Sequence, residues 1–295
     1  MNQLLSGTLA THFPLPKADC EETMKLIVGL IFHKNAEREE HQASEARMLA
    51  RGLSAHGITT DIVNASFQAE NDSSRLLAFQ SLRAVFSRAW AQEIHHLREF
   101  RRRRGSSLGV SLVKRQRAFA RVMRVVMSPT ERKRALVRFD VEAALTRKHQ
   151  YLWTALANSD ADGAIVLEDD FSLRDESSVS RVANLLDRYA KDVEYIDLAG
   201  GFSRLELGFR QDSREDLTVD FMVANTTCAY FVSKGAAKAL LNMLVKAPEK
   251  EYLSPDFVVT SLNDTDFRAQ TVLPSALPFV HGTREGGMTS SIPYS

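Results

Sequence analysis

Cysteine is scarce. Only Cys20 and Cys228 occur in 295 residues, and neither stands at the spacing of a metal site or a redox pair. A disulfide-stapled secreted scaffold is excluded on that ground, and a reduced, cytoplasmic setting is expected. Long apolar runs are also missing, none approaching the roughly eighteen residues of a membrane span. The first residues lack the basic start and apolar core of a secretory leader, so no signal peptide is expected. There is no Gly-x-x-x-x-Gly-Lys run and no Asp-x-Asp-x-Thr start, which ranks metal-dependent phosphotransfer low among enzymatic readings. Internal repeats and interdomain linkers are absent too. The expected organisation is a loose tail at 1–23, carrying Pro14 and Pro16, and a single domain at 24–295 with a helical basic insertion at about 72–138.

What is present begins with charge. The net charge of +1 conceals a strong asymmetry. Between Arg88 and Arg138 fifteen basic residues face only Glu93, Glu99 and Glu131, a local balance of +12 that leaves the remainder near −11. Segregation of this kind points to a polyanionic neighbour. Arg101–Arg104 end one helical stretch at Gly105. In the next, Phe119, Val122, Met123 and Val126 take one face, and Lys114, Arg117, Arg121 and Arg124 lie largely on the other. Such a helix reads as membrane-surface or partner-binding, or as a charged face packed on the domain by its apolar side. Nucleic acid fits less well, because the arginine run has no interleaved aromatics for base stacking.

The remaining pattern is α/β. Lys25–Phe32 reads as a buried strand, residues 37–55 as a helix bearing Ala46, Leu49, Ala50 and Leu53 on one face, and Ile58–Val63 as a second strand. Together they form a strand–helix–strand unit. A helix over about 140–157 brings His149, Leu152 and Trp153 to one face, where a lone histidine is more often a satisfied core residue than a catalyst. Directly after it comes Gly163-Ala164-Ile165-Val166-Leu167-Glu168-Asp169-Asp170-Phe171. Four apolar residues run into three carboxylates, as in a strand buried on both faces whose carboxyl end meets a ligand. Carboxylates a few ångströms apart repel by about 1 kcal/mol in water and about 4 kcal/mol near a protein surface. A cation is expected to offset that, and a hard divalent ion, Mg²⁺ or Mn²⁺, suits oxygen donors. A solvated acidic turn is the plainer alternative.

Further along, Val179–Tyr189 reads as a helix and Glu194–Ala199 as a strand closed by Gly200-Gly201. Residues 202–218 read as a polar loop, Asn225–Ser233 as a strand, and the helix after it carries Leu240 and Leu244. Pro255-Asp256 heads a short apolar segment, with Asp264 and Asp266 beyond it. Leu277–Gly282 reads as a late strand ending on His281.

These landmarks resemble glycosyltransferase family 25, the lipopolysaccharide-type enzymes of GT-A fold. The residues that carry the resemblance are Lys34-Asn35-Ala36-Glu37-Arg38 after the first strand, with Glu37 where the family has Asp, and His149-Gln150-Tyr151-Leu152-Trp153, with Lys148 replacing a Ser. Ile165–Asp170 is similar to the family's Leu-Glu-Asp-Asp signature, Ala229–Ala236 to its Ala-Tyr-x-x-Ser segment, and Ser290-Ser291-Ile292 to its tail. Coverage is roughly 24–64 and 140–292, leaving the basic insertion outside. The resemblance implies a GT-A-like, mostly parallel sheet flanked by helices. It also implies transfer of a sugar from a nucleotide-sugar donor to a saccharide or lipid-linked acceptor, with inversion, in surface polysaccharide synthesis. On that reading Asp170 binds a divalent cation (Mn²⁺ or Mg²⁺), with Glu168 and Asp169 sharing metal and ribose contacts and His281 as a third ligand. Arg38 serves the donor, Asp256 is the first choice for catalytic base ahead of Asp264 and Asp266, and Asn225, Thr226 and His149 face the acceptor. The basic insertion would hold the enzyme on an anionic membrane surface at the inner leaflet, each Lys or Arg contributing about 1 kcal/mol. The rival from another class is a non-catalytic protein using the basic segment on nucleic acid.

Overall fold

The computed structural model describes residues 23–32, 36–65, 81–104, 108–199, 218–219, 227–247, 253–272 and 276–281. The expected tail, the Gly200-Gly201 turn, the expected 202–218 loop apart from Thr218, and the Ser290–Ile292 tail lie outside them. β1 (Lys25–Ile31), α1 (Ala36–Ala55) and β2 (Thr59–Ala65) form the expected unit, with β1 and β2 parallel from Lys25 opposite Thr59 to Ile31 opposite Ala65. α1 closes on a Schellman turn. Gly57 adopts φ +78°, its N–H reaches Ser54 O at 3.1 Å and Ile58 N reaches Leu53 O at 3.1 Å. The left-handed position suits glycine, and Ile58 packs with Leu53 in the core, the apolar contact that accompanies this cap.

Three long helices follow: α2 (Leu82–Arg104), α3 (Leu108–Met127) and α4 (Pro129–Asn158). α4 starts eleven residues before the expected 140. Ser128 caps it by accepting a hydrogen bond from Glu131 N at 3.3 Å, and Pro129 occupies the first helical position, where its missing N–H costs nothing. A boundary near 138 therefore falls inside α4, which belongs to both the basic segment and the sheet.

Then come β3 (Gly163–Glu168), β4 (Phe171–Leu173), α5 (Ser178–Tyr189), β5 (Tyr195–Asp197), β6 (Thr218–Val219), β7 (Ala229–Ser233), α6 (Lys234–Lys246) and α7 (Pro255–Val259). A 3₁₀ turn over Thr260–Asp264, β8 (Ala269–Val272) and β9 (Phe279–His281) complete the order. The large sheet runs β2-β1-β3-β7-β5-β8-β6, with β4 and β9 paired separately. β2, β1, β3, β5 and β8 share one direction, and β7 and β6 oppose it. The architecture is the expected α/β type, a mostly parallel sheet flanked by helices.

Burial on both faces follows from strand alternation. Along β3, Ile165 and Leu167 enter a core with Leu49 and Leu53 of α1 and Val182 and Leu186 of α5. Ala164 and Val166 enter another with Leu152, Trp153 and Leu156 of α4, Leu240 of α6 and Val258 of α7. α4 can lie close to β1 because Gly29 has no side chain there. A Cβ at Gly29 would stand 2.8 Å from a Leu152 methyl.

Candidate active site

β3 stops at Glu168, and Asp169 and Asp170 form a turn into β4. Glu168 therefore belongs to the strand, and Asp169 and Asp170 do not. The turn lies at the carboxyl end of β3, where β1 and β3 run parallel and β7 enters from the opposite direction. Thr227 and Cys228, just before β7, and Asp197, at the end of β5, reach the same sheet edge, with Asp197 in register with Tyr230. Edges of this kind gather ligands in open α/β sheets.

His149 sits beneath the turn and is fully buried. Its Nε2 lies 3.0 Å from Glu168 Oε1, its Nδ1 lies 2.7 Å from the Tyr230 hydroxyl, and Trp153 Nε1 donates to that hydroxyl at 3.0 Å. The chemistry of each group orients this chain. An indole N–H only donates and a carboxylate only accepts. Burial, first of all, pushes the His149 pKa down to about 3, against the pull of Asp256 and with the push of Lys148, so the ring is neutral. Its single proton belongs on Nε2, facing the Glu168 carboxylate, and Nδ1 accepts from Tyr230. Thr227 also hydrogen-bonds Glu168 Oε1. The near oxygen of Glu168 is thus held from two sides.

Asp256 stands in the first turn of α7. Thr146 of α4 fixes that segment by donating to Leu253 O at 2.5 Å, which brings α7 to the histidine. The Asp256 pKa rises to about 6, chiefly through burial and then through the neighbouring Glu168 carboxylate; Thr227 and His149 oppose the rise. Its Oδ1 is buried and finds no hydrogen-bond partner among the described residues. A carboxylate tuned toward neutrality, with one oxygen uncommitted, suits a general base.

Asp169 is buried. Cys228 is buried against Asp170, and burial with that carboxylate pushes its thiol well above the ordinary range, so it is an inert packing group. Lys148, also buried, donates to Phe32 O at the end of β1. Burial lowers its pKa, while Asp169, Glu39 and Glu168 pull the other way. A lysine therefore faces the acids whose repulsion the sequence suggested a cation, with a divalent metal the first candidate, would offset.

Glu168, Asp169, Asp170, His149 and Asp256 are brought together. The backbone of His281 pairs with Phe171, the residue after the acidic turn, but its side chain lies outside the described residues, as does that of Arg38. Asn225 and Thr226 lie outside them altogether. The side chain of Asp266 is exposed. Among the described residues no group of three or more His, Cys, Asp and Glu is arranged to hold a metal ion. Thr227, Tyr230, Trp153 and Lys148 are site residues that the sequence reading did not assign.

No family model matches the chain, and no curated protein matches it. Among solved structures it is similar to a glycosyltransferase involved in the glycosylation of the major capsid of PBCV-1. The TM-score is 0.40 at 11% identity, covering 90% of this chain and 94% of that one. A likeness that distant carries no argument about chemistry, and the functional reading rests on the site itself.

Proposed function

We propose that the protein is a glycosyltransferase that moves a sugar from a nucleotide-sugar donor to a hydroxyl of a glycan or glycolipid, with inversion. The observation that carries the reading is Asp256, a carboxyl raised to about 6 beside Glu168 at the carboxyl edge of the parallel strands. Inverting transfer needs a base that takes the proton of the attacking hydroxyl as the new bond forms. Asp256 Oδ1, uncommitted to any described hydrogen bond, takes that proton. His149 fixes Glu168 and is itself held by Tyr230 and Trp153, and burial, with the neighbouring Glu168 charge, raises the Asp256 pKa into the useful range. Acceptors of the surface-polysaccharide class follow from the family resemblance, with Arg38 serving the donor and Asn225 and Thr226 the acceptor.

The donor set at the turn suits a hard divalent cation bound through one or two protein groups plus substrate phosphates. Asp170 would hold it, with His281, whose backbone pairs with the next residue Phe171, as the further ligand, whereas the near oxygen of Glu168 is already engaged. Such an ion supplies Lewis-acid charge against the departing nucleoside diphosphate. A thermal-shift screen of nucleotide sugars with and without Mn²⁺ tests the reading. One donor is expected to raise the melting temperature, more so with the ion, and the gain should vanish in Asp170→Ala. No response to any nucleotide sugar, or an undiminished response in that variant, overturns it.

A further inference from the structure

The basic hairpin carries a feature unrelated to the acidic turn. Periodicity predicts that Phe119, Val122, Met123 and Val126 share one apolar face of α3. In the structure the buried residues are Ala118 and Val122, and Val122 packs with Ala89, Ala135 and Phe139. Phe119 is turned away. Its ring touches Trp90 edge-on at 6.4 Å, yet it remains 50% exposed, with Leu112 at 61%, Val113 at 48% and Met127 at 73%.

At about 100° per residue, Leu112, Phe119, Met123 and Met127 fall within about 80° of one another, and Val113 lies at the margin. Arg115 borders this stripe on one side, and Arg117 and Arg124 border it on the other; all three are exposed. α3 contains five basic residues and no acid. One of the five, Arg121, is turned inward to Glu93 of α2, with Nε and Nη2 each 2.6 Å from the carboxylate. That pair spans the two antiparallel helices of the hairpin, and Leu82, itself 49% exposed, lies at the same end as Met127.

From this arrangement we propose that the outer face of α3 lies on an anionic lipid surface. Leu112, Phe119 and Met127 enter the acyl boundary, and Arg115, Arg117 and Arg124 meet the headgroups. Charge complementarity selects this occupant. The stripe offers no hydrogen-bonding side chain to read a base apart from Gln116, and a polar nucleic acid gains nothing from covering leucine and methionine. An apolar band with Arg115 on one side and Arg117 and Arg124 on the other matches hydrocarbon bordered by anionic phosphates. No helix of the described residues is long and apolar enough to cross a membrane, so the contact is peripheral.

The test uses the full chain and vesicles of phosphatidylcholine alone or mixed with phosphatidylglycerol, sedimented at low and high salt. Binding to the anionic vesicles at low salt should exceed binding to neutral ones by at least about tenfold and fall at high salt. Leu112→Ser, Phe119→Ser and Met127→Ser combined should cut it by at least about tenfold with the melting temperature unchanged, and Arg115→Gln, Arg117→Gln and Arg124→Gln combined should do the same. Equal binding to neutral vesicles, or full retention by the serine variant, overturns the proposal. So does a concentration-dependent dimer in sedimentation velocity that the serine variant abolishes, since a second copy would then cover the stripe.

Discussion

α4 meets charge in two different ways along its length. Its C-terminal half brings His149 and Trp153 up to carboxylates withdrawn from water, where the imidazole, phenol and indole protons each face a partner. Its N-terminal half brings Phe139 and Glu142 to the α2–α3 hairpin, where most charges stay wet. Arg88 and Glu142 are exceptions. Arg88 is buried, donates to Phe139 O at 2.8 Å and lies 4.3 Å over the Phe139 ring, while Glu142, largely buried too, accepts from Gln92 at 2.6 Å. Removing one partner from a dry network exposes the others to the full cost of an unmet hydrogen bond. Removing one from a wet surface exposes them to solvent that is already there. The lesson is that the two halves should respond to substitution on different scales.

The largest expected effect is on chemistry. Asp256→Asn should lower turnover by about 10²–10⁴-fold in a donor-consumption assay, and in the wild type kcat/KM should rise with pH through an apparent pKa near 6. Turnover unchanged in the variant would move the base elsewhere. Next comes the apolar joint. Phe139→Ala should cost about 3–5 kcal/mol by denaturant unfolding, because the ring is fully buried between hairpin and α4. Tyr230→Phe should cost about 1–3 kcal/mol, since it strands the Trp153 N–H and His149 Nδ1. Smallest is Arg121→Ala. Its bidentate pair with Glu93 is exposed on the arginine side, and a loss of no more than about 1 kcal/mol is expected. A larger loss would mean that the hairpin depends on its surface charges.

Acid titration sharpens the same contrast. Asp256 titrates near 6 folded and near 3.9 unfolded, so the folded state holds the extra proton between those values. Its ionisation therefore costs stability as pH rises through that window, by about 3 kcal/mol when complete. His149 works in the opposite sense. Its folded pKa is about 3 against about 6.5 unfolded, so stability is present above 6.5 and lost as pH falls toward 3. From about pH 4 to 6 the two slopes oppose each other. Asp256→Asn removes one of them. That variant should melt above the wild type at pH 8, match it near pH 4, and lose stability steadily on acidification from 6.5.

The apolar runs of β1 and β3 and the faces of α1 and α5 were legible because each element's period matches its burial. α4 was legible only in part. Starting the helix near 140 passed over Ser128-Pro129-Thr130-Glu131, which holds the cap, the first-position proline and the third-position acid in plain spacing. β8 and β6 are too short for periodicity to register, and the reversal of β7 leaves no local trace. At the site, Glu168, Asp169, Asp170 and Asp256 announce themselves as charges. Thr227, Tyr230 and Trp153 do not, because a buried hydroxyl or indole looks like ordinary core until its partner, many residues away, is in view. Lys148 was noticed only as a departure from a motif. The distribution of α3's apolar residues between an inner and an outer stripe depends on where α2 and α4 lie, which no single helix encodes.

One consequence follows from the length of α4. Thirty residues without a break make a stiff rod of about 45 Å, gripped near its start by the arginine hairpin and near its end by β1 and β3. Whatever plane the hairpin rests on therefore also sets the height and tilt of the sheet's carboxyl edge above it. The helix works as a stand-off, and a one-turn deletion in its middle would lower the acidic turn toward that plane by about 5 Å and leave its facing nearly the same.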